Sequence, residues 1–434
     1  MVFFRVTQNI NVKTTDGTLV KYFKFKMPSD LNNETAYITT YDDFEDLKTV
    51  FKNVDAKLYH ARLLKEEKIR QLEDFPIELG ISNENEHLNY AKYKQDSSEF
   101  FINDKSNVES FLQDNQKVDL FKQLTIKKSK INVAFIGSLG HTIGQMICSC
   151  TALRIFYNKL KEVYDEVILD VYLNASNNTY FSRDKQIYLN QDFINKVHPL
   201  SLNVKRFCTY DYFVDNSMVS KNTSYYSELN HIDAWLYKFG IDFTKISKYE
   251  KYNQINIEKV NVKDELKHRI VNLKRKGKLL LYHPYSADPK KSIPQEFAVK
   301  ILKELLKKNE DYLIVTTLNI DSKFKDDRLV NLNRDSQTFQ DLTYIVSCVD
   351  CMVTTHTATM HLSDAFMIPT VVISTSSKID ELIKYYDYVK AIKIEDSSKS
   401  MSKFIFENDS LTFYRFESWK KLKTSKIIKL LETF

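Results

Sequence analysis

From residue 131 onward the chain alternates short apolar runs with longer stretches whose apolar positions recur every three to four residues. INVAFIG (131–137), EVILDVY (166–172), KLLLYH (278–283), YLIVTT (312–317), CMVT (351–354) and PTVVI (369–373) have the length and composition of buried strands. Residues 202–208 read as a third strand of the earlier group, and 330–333 as a short strand of the later one. Helical spacing covers 143–160, 225–239, 295–308, 338–346 and 358–367. Strand–helix alternation of this kind predicts a parallel, doubly wound sheet. It occurs twice, with the polar stretch 247–267, rich in Asn and Lys, as the connection.

Residues 1–128 follow a different pattern. Residues 2–12 and 19–25 are β-leaning around the turn-like Thr15-Asp16-Gly17, and 42–74 turn helical with a KEEKIRQLED surface face. Residues 81–104 read as a polar connection and 108–124 as another helix. The expectation is three parts. Residues 1–128 form an appended domain of small β structure plus helices, with no recognisable chemistry and an acceptor- or partner-binding role by default. Residues 129–265 and 266–434 form two α/β units. Residues 419–434 read as a basic amphipathic helix, for which packing and peripheral membrane contact are the alternatives.

With 434 residues, 43% hydrophobic and 28% charged, the chain has ample material for more than one core. The 63 basic and 57 acidic residues nearly balance, at a net +6, which argues against a dedicated nucleic-acid binder. The opening MVFFRVTQNINVK has too short an apolar run for a signal peptide, and no stretch has the length of a membrane span. The five cysteines, Cys148, Cys150, Cys208, Cys348 and Cys351, include two close pairs. Each pair lies inside an apolar segment, where free cysteine acts as a small hydrophobe, so a metal or redox site is the lesser expectation. A reducing, cytoplasmic compartment fits that usage.

The densest chemistry falls in residues 344–375, YIVSCVDCMVTTHTATMHLSDAFMIPTVVIST. Between its two strands, Thr355, His356 and Thr357 stand where a helix should begin. A helix start beyond the carboxyl end of a parallel strand offers backbone N–H groups to a phosphate.

Three segments carry a resemblance. Residues 136–153 (IGSLGHTIGQMICSCTAL) resemble the GxxGDxxxxxPAL opening of the lipopolysaccharide heptosyltransferase family, glycosyltransferase family 9. Residues 283–297 (HPYSADPKKSIPQEF) resemble its HPGAxxxxKxWPxxxF stretch. Residues 341–373 resemble its ELAALLxxADLxVxxDSGxMHLAAAxGxPTVxL stretch. The first 128 residues have no counterpart. The resemblance implies the GT-B architecture: two Rossmann-like doubly wound domains facing a cleft, of class α/β, here with an appended N-terminal α+β domain. It also implies transfer of a sugar, with inversion, from a nucleotide-diphosphate sugar to a hydroxyl. The acceptor would be a surface glycan, a lipooligosaccharide or a protein, and no further cofactor or metal would be needed. A cytoplasmic enzyme, at most peripheral at the inner face of a membrane, is expected, with the oligomeric state left open.

Two departures bear on the chemistry. Where the family has Gly-Asp, its proposed base, this chain has Gly140-His141; where it has Asp-Ser-Gly, this chain has His356-Thr357-Ala358. Imidazole titrates near neutrality and can act as a general base, which makes His141 the catalytic candidate; a capping or packing histidine is the alternative. Gly140, Thr142 and Gln145 are candidates for acceptor or sugar contact. Lys291 matches the family's lysine and would meet the diphosphate, with Lys290 able to exchange roles. His356, Thr357, Ala358 and Thr359 would complete the donor site, and His283 would contact ligand or satisfy its own loop. His361 is read as buried and structural. A DxD pair at a strand end, the usual metal anchor beneath a diphosphate, is absent. The rival readings are a degenerate subunit that binds acceptor beside an active partner, and a nucleotide-sugar epimerase.

Overall fold

The computed structural model describes residues 2–4, 6, 9–24, 34–40, 43, 44, 46, 47, 49, 120–124, 129–176, 178–207, 209–216, 224–288, 291–308, 310–320, 324–394 and 417–434. The helices expected at 42–74 and 108–124 and the connection at 81–104 therefore lie largely or wholly outside the described residues. The chain divides into two compact units, Met1–Glu250 and Lys251–Phe434.

The first unit opens with short strands β1 (Val2–Phe4), β2 (Ile10–Lys13), β3 (Leu19–Tyr22) and β4 (Tyr37–Thr39). β2 and β3 form a hairpin whose turn uses Gly17 at φ 83°. The parallel sheet begins at β5 (Lys130–Ile136), followed by helix α1 (Ile143–Lys161), β6 (Glu166–Leu173), α2 (Phe181–Leu189) and β7 (Lys196–Pro199). Then come β8 (Leu202–Asn203), α3 (Val204–Phe207), β9 (Tyr212–Asp215), α4 (Ser224–Glu228) and α5 (His231–Lys238). The sheet order is β7-β6-β5-β9, parallel throughout. β5 is buried from Val133 to Ile136, and Phe135 meets Phe156 of α1 edge-on at 5.3 Å between ring centroids.

Two expectations here are corrected. Residues 202–208 are not a strand of this sheet: β8 pairs antiparallel with β4, and the chain then turns into α3. The Asn203 side chain decides it, because Oδ1 accepts the Arg206 amide at 2.8 Å and starts a helical turn. β7 and β9 fill the sheet instead, and Pro199 is tolerated because β7 is an edge strand. The single helix expected at 225–239 is two, broken where Asn230 caps α5 through the Ile232 amide at 2.9 Å.

In the second unit the expected linker gives way to helix α6 (Asp264–Lys276), with Asp264 and Glu265 in its first turn and Lys274, Arg275 and Lys276 in its last. After it come β10 (Lys278–His283), α7 (Gln295–Lys308), β11 (Tyr312–Thr316), β12 (Leu329–Asn331), α8 (Phe339–Cys348) and β13 (Cys351–Thr355). The chain closes with α9 (Ala358–Ala365), β14 (Thr370–Ser374), α10 (Ile379–Leu382), β15 (Val389–Lys393) and α11 (Thr424–Leu431). The order β12-β11-β10-β13-β14-β15 is again wholly parallel. Strand order reverses between β10 and β13 here, and between β5 and β9 in the first unit, and ligands of open α/β sheets bind at such reversals.

α11 packs into the core of its own unit, with Ile427 and Trp419 fully buried. Among the described residues no helix is long and apolar enough to cross a membrane. Cys148, Cys150 and Cys351 are buried and Cys348 half-buried; burial pushes the Cys351 thiol up to about 12 and Cys150 higher still, so neither is a ready thiolate. Cys208 lies outside the described residues. Among the described residues no three metal-ligating side chains come together.

Candidate functional site

In the second unit the site is assembled from the ends of β10 and β13. β10 finishes at His283, whose Nδ1 lies 2.9 Å from Thr317 Oγ1 and whose ring is buried. Burial holds its pKa down at about 4, so the ring is neutral at physiological pH. The loop that follows closes on itself. The Ile293 amide donates to the Pro284 carbonyl at 2.9 Å, Lys291 to Asp288 at 3.0 Å, and Ser286 to Ser292 Oγ at 2.9 Å. Ile293 anchors the loop in the core at 1% exposure.

β13 supplies the other side. The Thr355 hydroxyl hydrogen-bonds the Lys291 carbonyl and lies 3.0 Å from that of Ile373. The lysine loop is thus tied to the last residue of β13, two residues before the cap of α9. Thr357 caps α9 in an extended conformation and makes no side-chain capping bond. Its hydroxyl is not used to close the helix, and the first-turn amides begin beyond the carboxyl end of the strand. The structure therefore brings the Lys291 backbone, His356, Thr357 and Ala358 to one place.

Other predicted residues have structural roles. Thr359 is fully buried, with its Oγ1 2.7 Å from Thr354 Oγ1, which in turn lies 3.1 Å from the His283 carbonyl. Only the Thr359 backbone remains for a ligand. His361 is buried and bonds the Tyr386 hydroxyl through Nδ1 at 2.7 Å, as expected of a structural histidine. Lys290 lies outside the described residues.

In the first unit, β5 ends in a loop with Gly137 at φ 95° and Gly140 at φ 125°. A Cβ on Gly140 would fall 2.8 Å from Gln145 Cβ, so both conformation and space demand glycine. Gln145 Oε1 accepts the His141 amide at 2.9 Å and the Thr142 amide at 3.3 Å, and Thr142 Oγ1 accepts the Gln145 amide at 3.3 Å. This is a capping box, and it accounts for Thr142 and Gln145, two of the residues considered for ligand contact. The same bonds hold His141 at the exposed tip of the loop, where the strand order reverses.

Sequence reasoning placed Thr355 at the helix start but missed its tie to the lysine loop, and it missed Thr317 and Asp364 altogether. The last accepts the Asn253 amide at 2.8 Å and fastens the start of the unit to α9. Their partners are 34 to 111 residues away, and no local pattern marks them.

Two doubly wound parallel α/β units in series, with an N-terminal β extension, define the class of fold. No protein-family model and no curated protein matches the sequence. Among solved structures, the chain is similar to Escherichia coli ADP-heptose lipopolysaccharide heptosyltransferase II, at 12% identity and a TM-score of 0.48 over 70% of this chain and 98% of that one. It is similar to a glycosyltransferase family 9 protein of Veillonella parvula at 13% identity and a TM-score of 0.49, over 71% and 98% of the two chains. It is also similar to the dodecameric, iron-containing glycosyltransferase TibC of enterotoxigenic E. coli at 10% and 0.42, over 71% and 77%. At these identities and scores the functional reading rests on the residues themselves.

Proposed function

We propose that the chain is a glycosyltransferase that binds a nucleotide-diphosphate sugar in its second unit and an acceptor hydroxyl in its first. The observation that carries this reading is the tie between Thr355 and the Lys291 carbonyl, which sets a lysine loop beside the start of α9, where Thr357 makes no side-chain capping bond. An ammonium and a helix start at one strand-order reversal suit a diphosphate. Their positive potential would stabilise the departing nucleoside diphosphate without a metal ion. His356, half-buried at the same place, would lie beside the phosphates or the sugar.

His141 would take the proton of the acceptor hydroxyl as it attacks the anomeric carbon. The capping box fixes its backbone and leaves the imidazole at the loop tip. The acceptor is a surface glycan, a lipooligosaccharide or a protein, and in-line attack would invert the anomeric centre. Release of nucleoside diphosphate from ADP-, GDP- and UDP-sugars, with and without EDTA, tests the reading. EDTA-resistant release that needs a cell extract as acceptor source supports it. Conversion of the sugar without any acceptor would favour an epimerase.

A further inference from the structure

The N-terminal extension grips the first unit at the carboxyl end of its sheet. Asp43 is fully buried there. Its Oδ1 accepts the backbone amides of Ala175 at 3.2 Å and Ser176 at 3.1 Å, just beyond β6, and its Oδ2 accepts the Thr39 hydroxyl at 2.8 Å. Adjacent amides at the end of a parallel strand are a natural anion site, and here a carboxylate of the same chain occupies it. The hairpin turn adds two ties further along: Thr15 Oγ1 accepts the Ser182 amide at 3.1 Å, and Asp16 pairs with Lys185 at 2.8 Å. β4 pairs with β8, and Lys205 meets Glu34 at 2.8 Å, which fastens the next loop as well.

The ties fall on the segments that follow β6 and β7: the loop at Ala175 and Ser176, the first turns of α2 at Ser182 and Lys185, and β8 with Lys205 of α3, beyond the strand ends where ligands of such folds bind. The loop they hold presents Tyr180, 60% exposed, with the Arg183 guanidinium 4.3 Å from its ring centroid. We infer that the extension is a clasp that positions residues 174–176 and 178–182 for the acceptor, with Asp43 as its main anchor. The word acceptor rests on the transferase reading; the clasp does not.

The anchor has a defined response to pH. Burial pushes the Asp43 carboxyl up to about 6, above its exposed value, so the docked clasp holds a proton more tightly than a released one. Protonation therefore tightens it. The neutral acid keeps one oxygen for the two amides and can donate from the other to Thr39. Among the described residues, the titratable group facing Asp43 is Tyr22 of β3, with Tyr37 of β4 behind it; burial keeps both un-ionised. From β4 and the loop after β6 the facing groups are Thr39, Thr40 and Ser176, none of which titrates.

Hydrogen–deuterium exchange on the full chain tests the clasp. Asp43→Ala should speed exchange at residues 174–182 at least tenfold while β10 stays protected. Asp43→Asn, a mimic of the neutral acid, should keep the loop protected equally at pH 5.5 and 7.5. The wild type, after correction for intrinsic rates, should be better protected at pH 5.5. Unchanged exchange in Asp43→Ala, or wild-type protection that does not depend on pH, overturns the proposal. Should Asp43→Ala fail to fold, Lys185→Met must still expose the Ser182 amide. A second arm follows radiolabelled sugar transfer to a dilution series of whole-cell extract. Asp43→Ala should need at least tenfold more extract for half-maximal rate, with donor KM within twofold; equal requirements overturn the positioning role. If the wild type transfers nothing from any donor, the transferase reading fails, and the exchange result still decides the clasp.

Discussion

The Thr355 hydroxyl holds the Lys291 carbonyl, so the last residue of β13 fixes the lysine loop that follows β10. The contact spans 64 residues of sequence and places the two halves of the candidate phosphate site in register. Because the backbone is the anchor, the ammonium of Lys291 can be removed without releasing the loop. Lys291→Met should therefore weaken nucleotide binding about 10- to 100-fold, matching a charge-assisted contact of about 1.5–3 kcal/mol, with little change in melting temperature. Calorimetric titration of nucleoside diphosphate into wild type and variant checks this.

Thr355→Val should behave in the opposite way. It keeps the shape of the strand end but strips the hydroxyl from a buried carbonyl, Ile373, and a partly buried one, Lys291, so stability should fall by about 1–3 kcal/mol. Nucleotide affinity should fall too, although Thr355 itself is buried. Denaturant unfolding and the same titration separate the two effects.

His141→Ala should lower turnover by about 10²–10⁴-fold if the imidazole is the base. Its side chain is exposed and its loop is held through the backbone, so stability should change by no more than about 0.5 kcal/mol. Donor affinity should also persist. Initial rates beside a nucleotide titration provide the comparison.

A buried neutral histidine gives the second unit an acid limit. His283 has its pKa lowered to about 4, below the usual 6.5, so the folded state resists protonation. Its contribution is fully present above about 6.5 and is lost as pH falls toward 4, on the order of 3 kcal/mol. Melting curves across pH 7 to 4.5 should show a decline that His283→Asn reduces.

Met367 occupies the left-handed position after α9 at φ 55°, where the Met367 amide bonds Asp364 O at 3.1 Å and the Ile368 amide bonds Ser363 O at 2.9 Å. This is a Schellman ending, which ordinarily takes glycine. The side chain is mostly exposed, so Met367→Gly removes strain while losing little packing. Stability should rise by about 0.5–1 kcal/mol, read as a higher denaturant midpoint.

Much of the fold around residues 344–375 was legible, because β13 and β14 are buried on both faces and appear as unbroken apolar runs. The switch from strand to helix at Thr357 was also visible, since polar residues separate the two periods. Residues 202–208 misled because their apolar positions fit a strand, while one side-chain bond from Asn203 turned the chain into a helix. The grip of Asp43 on Ala175 and Ser176 had no local trace, being more than 130 residues long. Of the candidate site, the helix start was readable from position and Lys291 was named from the resemblance, whereas the burial of His283 depended on Thr317, 34 residues on, and that of Thr359 on how the strand-to-helix turn sets it against Thr354.

The proposed transfer depends on nucleotide-sugar binding beside Lys291. Its most direct test is a thermal-shift comparison of wild type and Lys291→Met against ADP-, GDP-, UDP- and CMP-sugars, each with and without magnesium. A ligand at 100 times its dissociation constant adds about 2.7 kcal/mol, a rise of about 2–4 °C. One nucleotide-diphosphate class should raise the wild-type midpoint by that amount without magnesium, and Lys291→Met should lose most of the rise. No shift with any sugar nucleotide, or an equal shift in both proteins, would contradict it.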